Sequence, residues 1–176
     1  MARKLITPID DKQRKSLKVG EEVLISGYIY TARDAAHKLL NDAINNNEKL
    51  PFDLENQIIY YVGPTPAKPN QIIGACGPTS SYRMDKFSPK LMKKGLKLMI
   101  GKGPRSNEFI DSLVENESVY LLAIGGLGAK LSKTVKENII IAYKHLQSEA
   151  IHRLKVVDFP AIVAIDSKGN SIFNKK

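Results

Sequence analysis

Cysteine is almost absent from this chain, and long apolar runs are absent altogether. The 176 residues include a single cysteine, Cys76, which excludes a disulfide within the chain and any multi-thiolate metal or iron–sulfur site built by this chain alone. No run approaches the length of a membrane span, and residues 1–11 have no apolar core long enough for a signal peptide. We therefore expect no membrane association and a cytoplasmic location.

A basic stripe interleaved with aromatic residues is also missing. The formal net charge is +9, but the basic residues are spread from Arg3 to Lys176, with only a mild cluster at 90–94. Positive charge raises the local concentration of anions, so it suits nucleic acid, an acidic protein surface or a carboxylated metabolite. Because single strands stack on aromatic side chains beside the cations, nucleic acid is the less favoured partner.

Alternating strand and helix patterns indicate one α/β domain over residues 1–176. A chain of this length with 43% hydrophobic residues can bury one core and is short for two. Strands are predicted at 23–30, 58–62, 72–75, 96–100, 119–124 and 161–165, with a further segment at 138–143, and helices at 86–95, 107–115, 148–154 and from Thr31. The pattern predicts a mixed sheet with flanking helices.

Two glycine-containing segments, 74–85 and 101–106, carry the clearest functional signal. Each follows an apolar run, turns through glycine and proline, and places a hydroxyl or a cation before the next helical pattern. Glycine lets the backbone approach a ligand, and a helix start offers unpaired N–H groups to an anion. Thr79 and Arg83 would share one side of a helical turn, and Lys102 lies between two glycines. The alternative is that Thr79 and Ser80 only cap a helix.

The helix predicted from Thr31 has two polar residues at the head of an apolar face. Residues 31–34 have the shape of a capping box, and helical spacing puts Arg33 and His37 on nearly one line. In one interpretation both look into a cleft, where Arg33 grips a carboxylate and His37 exchanges protons near neutral pH. In the other, Arg33 extends along the surface to solvent and His37 is a satisfied edge residue.

The glycine-rich segment 125–130 does not qualify as a nucleotide-binding loop. It has neither the P-loop spacing nor the complete dinucleotide-binding pattern, so a tight strand-to-helix turn is the better interpretation. His145 and His152 lie seven residues apart without a Cys or His cluster, and a metal site there is not expected.

Several separate motifs, in order, resemble the class I fumarase and L(+)-tartrate dehydratase family, specifically its β subunit or the C-terminal domain of its fused forms. They are the segments 17–20, 27–37, 63–69, 77–85, 99–103 and 158–166. The resemblance implies a swivelling β/β/α domain that closes over a four-iron, four-sulfur (4Fe–4S) cluster held by a separate α subunit or N-terminal domain. The single cysteine agrees with this, because such a cluster needs about three thiolates even with one iron open to substrate.

The chemistry implied by the resemblance is reversible loss of water from malate to give fumarate. The open iron would act as a Lewis acid toward the hydroxyl while a base removes a proton from the neighbouring carbon. The resemblance places Arg33, Arg83 and Lys102 as carboxylate clamps, and it makes Thr79 the candidate at the reacting carbon, with His37 as its rival.

The chain also departs from the family pattern, since Ser80, Ser81 and the bulkier Tyr82 precede Arg83 where fumarase-like members usually carry Thr-Ser-Gly. Substrate choice therefore stays open between malate and L(+)-tartrate, and so does a higher oligomer of the assembled enzyme. A third hypothesis, from another class, is a non-catalytic module that binds anions or nucleic acid.

Overall fold

The computed structural model describes residues 2–124 and 128–173 of the chain. Within these ranges the strands are β1 (Arg3–Ile6), β2 (Glu22–Thr31), β3 (Ile58–Tyr60), β4 (Leu98–Gly101), β5 (Val119–Ala123), β6 (Val135–Ala142) and β7 (Ile151–Ile165). The α-helices are α1 (Asp11–Ser16), α2 (Asp34–Asn45), α3 (Ser88–Lys93), α4 (Asn107–Glu115) and α5 (Gly128–Ser132), and 3-10 segments cover Ser81–Met84 and Lys144–Glu149. The predicted α/β class with a mixed sheet and flanking helices is confirmed.

The sheet closes on itself through its longest strand. Its order is β1-β2-β3-β4-β5-β7-β6, and β7 pairs with β2 as well. Strands β1 to β5 run parallel, whereas β7 is antiparallel to β2, β5 and β6. Ala161 and Ile162 of β7 pair with β2 on one edge and with β5 on the other, so the strands β2, β3, β4, β5 and β7 form a ring. The carboxyl ends of the parallel strands therefore share one edge of this ring, which we call the carboxyl rim.

Side chains of the central strands are buried on both faces of the sheet. In β3 and the residues after it, Ile58 and Tyr60 pack into the core enclosed by the ring, whereas Ile59 and Tyr61 pack into the core under the helices. The same alternation holds in β4 and β5. This two-sided burial explains why these strands read as continuous apolar runs, as is typical of parallel strands.

Some helices and strands predicted from the sequence are confirmed, and others are wrong. Helix α4 has the predicted bounds, and its N-terminus is capped by the Ser106 hydroxyl, which accepts a hydrogen bond from Phe109 N. The strand predicted at 72–75 is wrong, because this segment is irregular and Ile72 is half exposed. The helix predicted at 148–154 is also wrong, since β7 begins at Ile151 and continues as one 15-residue strand.

The start of α2 differs from the capping-box prediction. Thr31 is the last residue of β2, and α2 begins at Asp34 with Arg33 at the N-cap position. The Thr31 hydroxyl accepts a hydrogen bond from His152 N at 3.0 Å, so it ties β2 to β7 and does not cap the helix. The turn predicted at 125–130 begins in residues outside the described ranges. Over those ranges, no helix is long and apolar enough to cross a bilayer.

Candidate functional site

The carboxyl rim brings together the segments that carry the predicted site residues. Arg33 follows the end of β2 by two residues, and Lys102 directly follows β4. Thr79 lies next to the end of β3, because its N–H donates to the carbonyl of Tyr61 at 2.8 Å. Since β2, β3 and β4 are neighbouring parallel strands, three distant parts of the sequence meet at one place. This is the edge at which open parallel sheets commonly bind ligands.

A carboxylate joins the two predicted arginine clamps. Asp34 Oδ2 accepts a hydrogen bond from Arg83 Nε at 2.8 Å, and Asp34 Oδ1 lies 3.7 Å from Arg33 Nε. The Arg83 side chain is 47% exposed, whereas that of Arg33 is 26% exposed and packs against Gly63. Asp34 offsets the repulsion between the guanidinium groups and so allows two cations to lie side by side at the rim.

Lys102 is fixed at the backbone through Ser81. Ser81 N donates to the carbonyl of Lys102 at 3.0 Å, and Lys102 N donates back to Ser81 Oγ at 2.9 Å. The Tyr120 hydroxyl lies 2.8 Å from both Ser81 Oγ and the Gly103 carbonyl oxygen. These contacts join the two glycine-containing segments that the sequence singled out, and the Lys102 side chain stays exposed.

Sequence reasoning missed Arg105, the residue that packs beneath these two segments. Its guanidinium lies 3.4 Å from the ring centroid of Phe109, and its Nε donates to Asp85 Oδ1 at 2.5 Å. The other oxygen of Asp85 accepts from Ser106 N at 2.7 Å. The opposite charges of Asp85 and Arg105 in the two motifs were the available signal. Because Arg105 is buried, it supports the site and is not a surface clamp.

His37 does not face the open cleft that the sequence suggested. It is fully buried in α2, with its ring against Tyr61 at a centroid distance of 5.4 Å, and its Nδ1 lies 2.9 Å from the carbonyl of Arg33. Burial lowers the pKa of His37 to about 4, and the positive charge of Arg105 acts in the same direction. The imidazole is therefore neutral at neutral pH and is a weaker base than a solvent-exposed histidine, and proton transfer by His37 stays a prediction.

Thr79 is half-buried at the rim and is not used as a helix cap. The following 3-10 segment has Ser80 at its N-cap position without a side-chain capping bond, so the capping interpretation of Thr79 and Ser80 is not realised. The Thr79 hydroxyl makes no hydrogen bond to the described residues. Ser80, next in the chain, forms an isolated parallel bridge with Lys102. Thr79 is thus one residue from the bridge that ties this segment to Lys102.

An iron–sulfur cluster does not fit the described residues of this chain. Cys76 is fully buried, its Sγ lies 3.7 Å from the carbonyl of Gly128, and burial raises the pKa of its thiol to about 12. The thiolate that a metal requires is therefore disfavoured. Within residues 2–124 and 128–173, no group of three His, Cys, Asp or Glu side chains is arranged to hold a metal ion.

Two shallow grooves meet at Arg83. One, of about 590 Å³, is lined by Tyr82, Lys86 and Pro104 among others, and the other, of about 490 Å³, includes Asp34 and Lys86. Neither groove encloses Thr79 or Lys102. Of the predicted clamps, Arg83 lines both grooves.

Comparisons with known proteins give one consistent result. The family model for the fumarase C-terminus matches residues 3–176. The chain is 41% identical to the "Putative L(+)-tartrate dehydratase subunit beta" of Methanocaldococcus jannaschii, over 94% of this chain and 89% of that protein. It is 39% identical to a "Putative fumarate hydratase class I" of Geobacillus stearothermophilus, over 97% of this chain but 34% of that protein.

The aerobic class I fumarate hydratase of Escherichia coli (strain K12) is 34% identical over 93% of this chain and 30% of its own length. The chain thus spans nearly all of the archaeal subunit and about a third of the two fumarate hydratases.

Proposed function

The chain belongs to the family of the fumarase C-terminus, and on this premise we propose that it is the β subunit of a hydro-lyase that interconverts malate and fumarate. Residues 1–176 would form one domain that supplies the carboxylate clamps and a proton-transfer residue. The rest of the enzyme would come from an α subunit. The "subunit beta" in the name of the archaeal relative, which this chain covers almost completely, supports a two-chain arrangement.

The observation that carries the proposal is the grouping of Arg33, Arg83 and Lys102 at the carboxyl rim. A dicarboxylate needs cationic groups at both ends, and guanidinium groups bind carboxylates through paired hydrogen bonds. The Lys102 backbone is held by Ser81, and the Arg33 carbonyl accepts a hydrogen bond from His37 N, so these two clamps are partly positioned before substrate binds. The open edge at this rim suits a site that is completed by a second chain.

Thr79 is the proposed proton-transfer residue. A threonine hydroxyl is a weak base, so it needs neighbours that stabilise its deprotonated form. Arg83 follows Thr79 by four residues, and Lys102 is bridged to the adjacent Ser80. Positive charges near the hydroxyl would lower the cost of forming an alkoxide. In this proposal the rim both binds the carboxylates and activates Thr79.

The family depends on an iron–sulfur cluster, and we propose that the α subunit holds it. Cys76 is buried and its thiol is strongly protonated, so this chain offers no set of thiolates. Iron and sulfide content, determined for each chain after reconstitution, should be confined to the partner.

The proposed function is tested on the complex with a cluster-bearing α chain. We expect reversible hydration of fumarate, and we expect Arg83→Ala and Lys102→Ala each to lower kcat/KM by roughly 10- to 100-fold through loss of a charge-assisted hydrogen bond. Thr79→Ala should lower kcat by roughly 100-fold or more. Lys93→Ala, which removes an exposed lysine from the end of α3, is the matched control and should leave kcat/KM unchanged.

Two results would contradict this proposal. The first is fumarate hydration by this chain alone without iron, and the second is an unchanged kcat in Thr79→Ala. Loss of folding in both clamp variants, seen by circular dichroism, would assign Arg83 and Lys102 a structural role instead.

L(+)-tartrate is the second candidate substrate. Its support is the 41% identity to the archaeal protein named as a tartrate dehydratase subunit, the highest identity among the relatives compared above. Comparing kcat/KM for malate and for L(+)-tartrate on the same complex decides between them. A ratio above about 10 in either direction corresponds to about 1.4 kcal/mol of differential transition-state binding and identifies the preferred acid.

A further inference from the structure

The ring of His37 contacts the backbone carbonyl of Arg33 and the ring of Tyr61, the residue that holds Thr79 N. Its Nδ1 lies 2.9 Å from the carbonyl of Arg33, and the backbone N–H of His37 donates to the same carbonyl at 2.9 Å. On its other side the ring packs edge-on against Tyr61, whose carbonyl holds Thr79 N. The buried His37 ring therefore lies between the backbone of a clamp and the backbone that holds the proton-transfer residue.

The tautomer of His37 follows from these contacts. A carbonyl oxygen only accepts hydrogen bonds, so Nδ1 must carry the proton and Nε2 must be the unprotonated nitrogen. Nε2 is buried and has no hydrogen-bond partner in the described residues. A second proton on the ring would create an unpaired cation in the core, which is costly. His37 is thus held neutral, in one tautomer.

We propose that His37 is a positioning residue that fixes Arg33 for substrate binding by donating its Nδ1–H to the Arg33 carbonyl, and that it transfers no proton itself. The inference rests on the proposed function, in which Arg33 binds a substrate carboxylate. Arg33 has the extended backbone of an N-cap residue, without a capping bond from its own side chain. The second hydrogen bond to its carbonyl restrains the peptide from which its side chain leaves toward the rim.

The chain itself shows which substitution preserves this contact. In the same helix, Asn41 Nδ2 donates to the carbonyl of His37 at 3.1 Å, four residues back, as the His37 ring does to Arg33. Asn116 makes the same kind of bond to the carbonyl of Ser112 at 2.8 Å in α4. An asparagine at position 37 can therefore keep the donor while removing the imidazole, whereas leucine keeps the apolar volume and removes the donor.

The test compares His37→Asn with His37→Leu in the complex. We expect His37→Asn to keep kcat/KM within about threefold of the unmodified enzyme, and His37→Leu to raise KM by roughly fivefold to tenfold, the effect of one hydrogen bond. The pH–rate profile should keep both limbs in each variant. A loss of roughly 100-fold in kcat, or of one limb of the profile, in His37→Asn would overturn the proposal, because general-base catalysis is worth that much.

A second measurement does not depend on the reaction. Nitrogen-15 spectra of the histidine rings of the full chain contain signals from three residues, His37, His145 and His152. We expect the His37 ring to be neutral at pH 7 with the proton on Nδ1. A protonated Nε2 or an imidazolium at pH 7 would refute the positioning role even in an active enzyme. If no acid is dehydrated by the complex while the tautomer is as expected, the proposed function fails and the His37 geometry stands.

Discussion

Replacing Tyr120 by phenylalanine removes one hydroxyl from beneath the candidate site. Burial raises the pKa of Tyr120 far above its ordinary value, so the hydroxyl is protonated and donates. Since the Gly103 carbonyl can only accept, the Tyr120 proton goes to Gly103 O, and the hydroxyl of Ser81 donates to Tyr120 Oη. Lys102 N donates to Ser81 Oγ and completes the chain of hydrogen bonds.

The expected loss of stability follows from the groups left without partners. Tyr120→Phe removes the partner of the Gly103 carbonyl and that of the Ser81 hydroxyl proton, and each buried unsatisfied group costs about 1–3 kcal/mol. Ser81 can rotate and Gly103 is half-buried, so we expect about 1–2 kcal/mol in total. For a chain of this size this lowers Tm by about 2–8 °C.

Urea unfolding of the full chain measures this loss, with Tyr28→Phe as the matched control. The Tyr28 side chain is 40% exposed, so its hydroxyl can be replaced without leaving a buried group unpaired. In a double-mutant cycle with Ser81→Ala, the two changes should be non-additive by about 0.5–2 kcal/mol, because they share one bond. Additive effects, or equal effects of the Tyr120 and Tyr28 changes, would refute the hydrogen-bond chain.

Two further predictions concern pH and close packing. The pKa of His37 is about 4 in the folded chain against 6.5 when unfolded, so the unfolded chain takes up a proton first and stability should fall as pH drops from 6.5 to 4, by up to about 3 kcal/mol. His37→Asn should remove this contribution, and an equally steep pH dependence in that variant would contradict it. A Cβ at Gly101 would overlap Ser81 Oγ, so Gly101→Ala should cost about 1–3 kcal/mol in urea unfolding, whereas Gly77→Ala, where a Cβ meets nothing closer than 3.6 Å, should cost little. If Gly101→Ala and Gly77→Ala lower the free energy of unfolding equally, Gly101 is not tightly packed against Ser81.

The sequence predicted those parts of the fold that depend on local patterns. Strands β3, β4 and β5 were found because their apolar runs are buried on both faces, and α4 because a serine cap precedes an amphipathic pattern. The long strand β7 was divided wrongly between a helix and a strand. Its first half owes its conformation to pairing with β2 and β6, and such long-range pairing leaves no local signal.

The sequence singled out Arg33, Arg83 and Lys102 but not the contacts around them. In the structure Asp34 links Arg33 with Arg83, and Lys102 is bridged to Ser80, while the role of the three as clamps stays a prediction. The burial of His37 could not be read from helical spacing, because it depends on Tyr61 and on Phe87, which lie in segments far apart in sequence. Arg105 was missed for the same reason, since its buried ion pair with Asp85 exists only after the two segments pack together.

The closed ring of strands fixes the distances between the strand ends at the carboxyl rim. Neighbouring strands lie about 4.8 Å apart, so the backbone ends of β2 and β4, with β3 between them, stand roughly 10 Å apart. This span is set by ladders of hydrogen bonds on both sides and not by side-chain torsions, so a ligand cannot stretch or shorten it at low cost. Under the proposed function, this fixed span would select the length of the dicarboxylate that Arg33 and Lys102 can hold. Side-chain substitutions at the rim would then change which four-carbon acid is preferred, but binding a longer acid would require a different clamp residue and not a shifted strand.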